Sequence, residues 1–125
     1  MDDRTVRLAL ERHWAASDAD DFAAEHEIYR ADALLEYPQS GERIRGRANI
    51  RQSRFLQPDK KRFELRRIVG SGDLWVSEFI LSYNGKPSYA VSIMELRDGL
   101  VARETQYFAE PFAPAPSRAN LVERS

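Results

Sequence analysis

Apolar residues recur every three or four positions through the first part of the chain and every second position through much of the rest. Val6, Leu10, His13 or Trp14, and Ser17 fall along one side of a helix. Asp2 and Asp3 stand where short acidic side chains cap free amides, so the helix is expected to start there. Ser17-Asp-Ala-Asp-Asp21 breaks it and caps a second helix, with Phe22, His26 and Tyr29 along one side. This polar helix is expected to end near Tyr29. The apolar run from Ala33 to Tyr37 stops at Pro38, a tight loop surrounds Gly41, and Gly46 opens a third helix. That helix covers Arg47 to Phe55 and ends before Pro58.

From Lys61 the period becomes that of strands. Arg62 to Val69 leads to Gly70-Ser-Gly-Asp73, a hairpin turn. Leu74 to Tyr83 and Ser88 to Arg97 are joined by Asn84-Gly85, the strongest short hairpin signal in the chain. Asp98-Gly99 repeats that signal before Leu100 to Phe108. Successive antiparallel strands after three helices predict an α+β architecture. The domain is expected over 1–112, followed by a mostly irregular tail, 113–125, that carries Pro114 and Pro116.

Composition narrows the class. A chain of 125 residues with 42% apolar and 31% charged side chains suits one compact domain. It contains no cysteine, which excludes disulfides, thiolate nucleophiles and cysteine-held metals. The two histidines lie thirteen residues apart without a metal-ligand pattern, so no metal site is expected. Gly70-Ser-Gly72 is a turn rather than a phosphate loop, no nucleophile elbow occurs, and no cofactor is expected. No apolar run approaches the roughly 20 residues needed to span a membrane, and the N-terminus lacks a signal-peptide pattern. A cytoplasmic protein is expected.

Charge is unevenly placed although the net value is −1. Residues 1–37 hold ten acidic and four basic side chains, whereas 42–67 hold ten basic and three acidic. An anionic ligand is one reading of the basic segment; a solvated face complementary to the acidic helices is the other. Only Phe55 and Phe63 interleave the basic run, so nucleic acid is not expected.

The order from Tyr29 to Arg51 (polar helix, apolar run, Pro38, Gly41 loop, Gly46 helix start) resembles the SnoaL-like branch of the nuclear transport factor 2-like superfamily. The resemblance spans about residues 4 to 112. It implies a cone: a strongly curved antiparallel sheet with three N-terminal helices around one pocket, the cystatin-like roll. A homodimer through the convex sheet face is implied as well, with Trp75 on that face. The scaffold hosts isomerases, cyclases, hydrolases and binding modules, so fold alone does not name an activity.

Strands alternate faces, so the last strand offers the pocket either Glu104, Gln106 and Phe108 or the odd-numbered set. The resemblance to ketosteroid isomerases implies the even set. Those enzymes use a carboxylate base and an oxyanion hole of a tyrosine and a neutral aspartic acid. The matching positions here are Tyr37, His13 and Ser92, all different residues; a phenol is a poor base at neutral pH, so steroid isomerisation is not expected. Tyr29 matches a supporting tyrosine, and Arg54 stands where another would be. The implied site has His13 and Glu104 as acid and base. Trp14, Tyr29, Tyr37, Arg54, Ser92, Met94, Gln106 and Phe108 form its binding surface. His26 reads as a helix-edge residue. Two functions follow: a cofactor-free isomerase, cyclase or hydrolase acting on a small, largely apolar molecule, or a non-catalytic small-molecule-binding or dimeric interaction module.

Overall fold

The computed structural model describes residues 2–124, so Met1 and Ser125, the outer ends of the expected domain and tail, lie outside the described residues. Helix α1 runs Asp3–Asp18, capped by the Asp2 carboxylate, which accepts from the Thr5 amide at 2.8 Å. Its buried side is Val6, Leu10, His13, Trp14, Ala16 and Ser17, the stripe expected from the spacing. Helix α2 is a single turn, Phe22–Glu25. Tyr29 is therefore not a helix end but the first residue of strand β1 (Tyr29–Tyr37). Strand β2 (Glu42–Arg45), which the sequence pattern did not signal, precedes α3 (Arg47–Phe55). Strands β3 (Lys61–Ser71), β4 (Leu74–Tyr83), β5 (Lys86–Arg97) and β6 (Leu100–Ala109) follow. Among the described residues no helix is long and apolar enough to cross a membrane.

Both expected dipeptide turns sit in left-handed backbone. Asn84 and Gly85 have φ of 52° and 82°, and Asp98 and Gly99 have 53° and 78°. Positive φ at both central residues matches the right-handed twist of the strands they join.

The six strands form one curled, open sheet in the order β2-β1-β6-β5-β4-β3. It is mixed rather than antiparallel throughout, because β1 runs parallel to β6. Nor do all the helices precede the sheet, since α3 lies between β2 and β3. Register shifts in β1/β6, β3/β4 and β5/β6 mark irregularities of the kind that increase twist and bend a sheet.

The curl buries Trp75, Ser77, Phe79 and Leu81 of β4 with Ala90, Ser92 and Met94 of β5 and Glu104 and Gln106 of β6. Trp75 is thus in the core and not on the convex face. Gly70 lies opposite it, and a Cβ there would meet Leu74 O at 2.5 Å and the indole at 2.7 Å. The absent side chain is what lets the ring lie down, with its N–H donating to Gly72 O at 2.8 Å. Helix α1 crosses this face. Trp14 Nε1 donates to Ser77 Oγ at 2.9 Å, and Arg7 Nη1 to Ile68 O at 2.7 Å.

Candidate functional site

Period-two alternation sends Glu104 and Gln106 inward from β6, beside Ser92 from β5. Glu104 is completely buried and its carboxylate is surrounded by donors. Tyr29 Oη donates to Oε1, Arg54 Nη2 lies 3.2 Å from the same oxygen, Ser92 Oγ donates to Oε2 at 2.5 Å and Gln106 Nε2 at 2.9 Å. A carboxylate has about four lone-pair sites, so its capacity is used. Burial pushes its pKa up, but the Arg54 guanidinium and the hydrogen bonds donated by Ser92 and Tyr29 outweigh that and hold it below the ordinary value. Glu104 is a fixed anion at neutral pH.

Arg54 reaches this anion from α3 because it faces the sheet one turn beyond buried Ile50. Its Nη1 donates to Tyr29 Oη at 2.9 Å and lies 3.6 Å from Glu25 Oε2, so one guanidinium joins two buried carboxylates. Burial works against its charge; the Glu104 and Glu25 carboxylates beside it prevail and raise its pKa. Tyr29 is pushed well above the usual phenol value, chiefly by burial, and serves as a neutral donor.

His13 does not pair with Glu104. Its Nδ1 lies 2.5 Å from Glu25 O, a carbonyl that can only accept, so Nδ1 carries the proton. Its Nε2 is buried without a hydrogen-bond partner among the described residues. Burial lowers its pKa to about 4, so the ring is neutral at pH 7. His26 is buried as well, not at a helix edge. Its Nδ1 donates to Phe22 O at 2.7 Å and its Nε2 accepts from Arg54 at 3.3 Å.

A cavity of about 60 Å³ opens beside this network, lined in part by Trp14, Tyr37, Arg54, Gln106 and Phe108 from the expected site. His13, Tyr29, Ser92, Met94 and Glu104 lie beneath its walls rather than on them. Glu25, Gln57, Lys61 and Tyr83 also line it and were not singled out from the sequence. For Glu25 a signal existed: it follows Phe22 by three residues and so shares its helix face.

Glu25 is 2% exposed, and its Oε1 has no hydrogen-bond donor among the described residues. The closest cation to that oxygen is Lys61 Nζ at 3.9 Å, itself 3.5 Å from Asp20 Oδ1 at the surface. Burial raises the phenol pKa of both Tyr37 and Tyr83, so their hydroxyls are neutral donors. Tyr37, Tyr83 and Phe108 also line an outer cleft of about 730 Å³, so these rings separate the inner cavity from the outside. Gln39 holds that wall like a strand partner: Phe108 N donates to its Oε1 at 2.7 Å and its Nε2 donates to Phe108 O at 2.5 Å. Among the described residues no group of three or more His, Asp or Glu side chains is placed to hold a metal ion.

The same architecture occurs in solved structures. An NTF-2-like protein of unknown function from Burkholderia xenovorans LB400 is 52% identical, with 100% of this chain and 98% of that one covered and a TM-score of 0.93. A candidate ketosteroid isomerase from Kribbella flavida DSM 17836 is 25% identical over 98% of this chain and 90% of its own, with a TM-score of 0.89. An LEH-like epoxide hydrolase of M. tuberculosis shares the fold at 23% identity, 82% and 81% coverage and a TM-score of 0.66. No curated protein matches the chain significantly. Residues 10–104 match the SnoaL-like domain, and with the curled sheet and its buried polar centre this establishes that the chain belongs to the SnoaL-like family of the nuclear transport factor 2-like fold.

Proposed function

We propose that the chain is a cofactor-independent enzyme that moves a proton, or activates a water, on a small, largely apolar molecule, with Glu25 as the proton acceptor. The observation that carries this is the Glu25 Oε1 atom: buried, without a donor among the described residues, and on the wall of the inner cavity. Glu104, with its lone pairs taken, is a positioning residue for Arg54 and Tyr29. His13 positions Glu25 through its backbone carbonyl.

A ligand body fits the outer cleft, with its reacting end passing Tyr37, Tyr83 and Phe108. The inner cavity is large enough for water, which takes up about 30 Å³ per molecule in the liquid. In hydrolysis Glu25 takes a proton from that water while the water oxygen bonds to an epoxide carbon, whose ring carbon–oxygen bond breaks, or to an ester carbonyl, which then expels the alcohol. Charge then develops on the substrate oxygen, towards the Lys61 and Arg54 donors. The protonated Glu25 returns its proton to the departing oxygen. The M. tuberculosis relative, described as an epoxide hydrolase, supports this chemistry, and the candidate ketosteroid isomerase supports proton transfer at carbon.

One observation favours a binding module instead: the inner cavity is far below the roughly 300–1,000 Å³ of ordinary ligand pockets. Turnover of a panel of epoxides, esters, enones and polyketide-like substrates, with NMR binding in parallel, separates the readings. Glu25→Gln is expected to lower kcat by about 100-fold or more while ligands still bind. Full turnover by that variant removes Glu25 from the role; binding without turnover by the unaltered protein establishes the binding module. Exposed Val69, Leu74, Tyr89 and Tyr107 support a homodimer through the outer sheet face, testable by sedimentation equilibrium.

A further inference from the structure

On the far side of the buried charge network, a groove of about 720 Å³ runs between α2 and α3. Its lining combines two kinds of chemistry. Ala23, Ala48 and Phe55 are apolar, and Phe55 packs edge-on against Phe22 with ring centres 5.6 Å apart. Arg47 and Arg51, one helical turn apart on α3, are cations on the same face. Among the described residues neither has a carboxylate within ion-pair distance. Arg47 has one long hydrogen bond, from Nη1 to Tyr29 O at 3.4 Å, which orients the guanidinium and leaves other N–H groups unspent.

The remaining charged or titratable groups there do not cancel this excess. Glu27 lines the groove, but Arg12 Nη2 already lies 3.3 Å from its carboxylate. His26 lines it too, with both ring nitrogens engaged, by Phe22 O and Arg54. Behind His26 stand Arg54 and Glu25, tied to each other. Two guanidiniums without an ion-pair partner among the described residues, over an apolar surface in a concavity of ligand size, match a group with an oxyanion head and an apolar body.

We propose that this groove is a second ligand site, for a small oxyanion (carboxylate or phosphate monoester) carrying an apolar group. Its head lies between Arg47 and Arg51, and its body on Ala23, Ala48 and Phe55. The site uses none of the residues given roles in the inner cavity, so Glu25→Gln is expected to leave it intact.

The test is an NMR titration of the full chain with benzoate and with phenyl phosphate, and with benzamide and inorganic phosphate as controls. The chain has two histidines, so the ring signals report the two regions separately. The expected result is saturable shifts at the His26 ring and the Ala48 and Arg51 amides, with the His13 ring unmoved. Arg51→Gln or Arg47→Gln, both at exposed positions, should weaken binding by about tenfold or more, the loss of one charge-assisted contact. Arg4→Gln, at an exposed position on α1, should change nothing. The tighter of the two aromatic anions identifies the preferred head group. Benzamide binding as tightly as benzoate, inorganic phosphate binding as tightly as phenyl phosphate, or shifts that grow linearly across all arginines would each overturn the proposal.

Discussion

Acid should destabilise this protein through His13, and the size of the effect follows from its surroundings. The ring is held neutral by burial, with a pKa of about 4 in the folded chain against 6.5 for a free histidine. Between those values the unfolded chain binds a proton that the folded chain refuses. Stability is therefore fully present above about pH 6.5, falls as pH drops through that interval and levels off below about 4. At 1.36 kcal/mol per pH unit, the interval corresponds to about 3 kcal/mol.

The informative variant is His13→Asn, whose side-chain amide can still donate to Glu25 O but cannot titrate. It will be less stable at every pH, because it leaves part of the ring's volume unfilled. The quantity to read is the change in its deficit with pH. Urea unfolding from pH 7.5 to 4.5 should show the gap between the two proteins closing by about 2–3 kcal/mol. His26, which burial also pushes down, titrates in both proteins and drops out of the comparison. Glu104, held below the ordinary carboxylate value, loses its contribution only at lower pH. A gap constant to within about 0.5 kcal/mol, or a His13 ring titrating near 6.5 by NMR, would refute the reasoning.

Three further outcomes follow from the structure. Glu104→Gln leaves Arg54 without one of its two carboxylates and should cost about 3–5 kcal/mol in urea unfolding, well above an exposed pair such as Arg67–Glu78; a loss under about 1 kcal/mol contradicts the buried network. Gly70→Ala sets a methyl against Leu74 O and the Trp75 ring, and should cost about 1–3 kcal/mol and shift Trp75 fluorescence; an unchanged melt would mean the ring is not packed there. Gln39→Ala should speed hydrogen exchange of the Phe108 amide while lowering global stability by no more than about 1.5 kcal/mol; unaltered exchange would show that Gln39 does not hold the wall between cavity and cleft.

Local spacing was enough for much of the architecture. The helical stripe from Val6 to Ser17 was legible because a helix repeats every 3.6 residues. The four long strands were legible because Asn84-Gly85 and Asp98-Gly99 admit positive φ where few other pairs do. The even-numbered inward set on β6 came with the family resemblance, and Glu104 and Gln106 are buried.

Contacts between distant segments were not legible. β1 pairs in parallel with β6, about seventy residues later, and this draws Tyr29 out of a helix and towards Glu104. Trp75 turns inward because Gly70, on the neighbouring strand, leaves it room. Glu25 shares the helix face of Phe22, but that α1, Arg54 and Lys61 close over it is decided only by tertiary contacts. Side-chain period says which residues share a face, but not what packs against that face. Which carboxylate keeps an oxygen without a hydrogen-bond donor among the described residues is decided by its neighbours, and those arrive only when the chain folds back on itself.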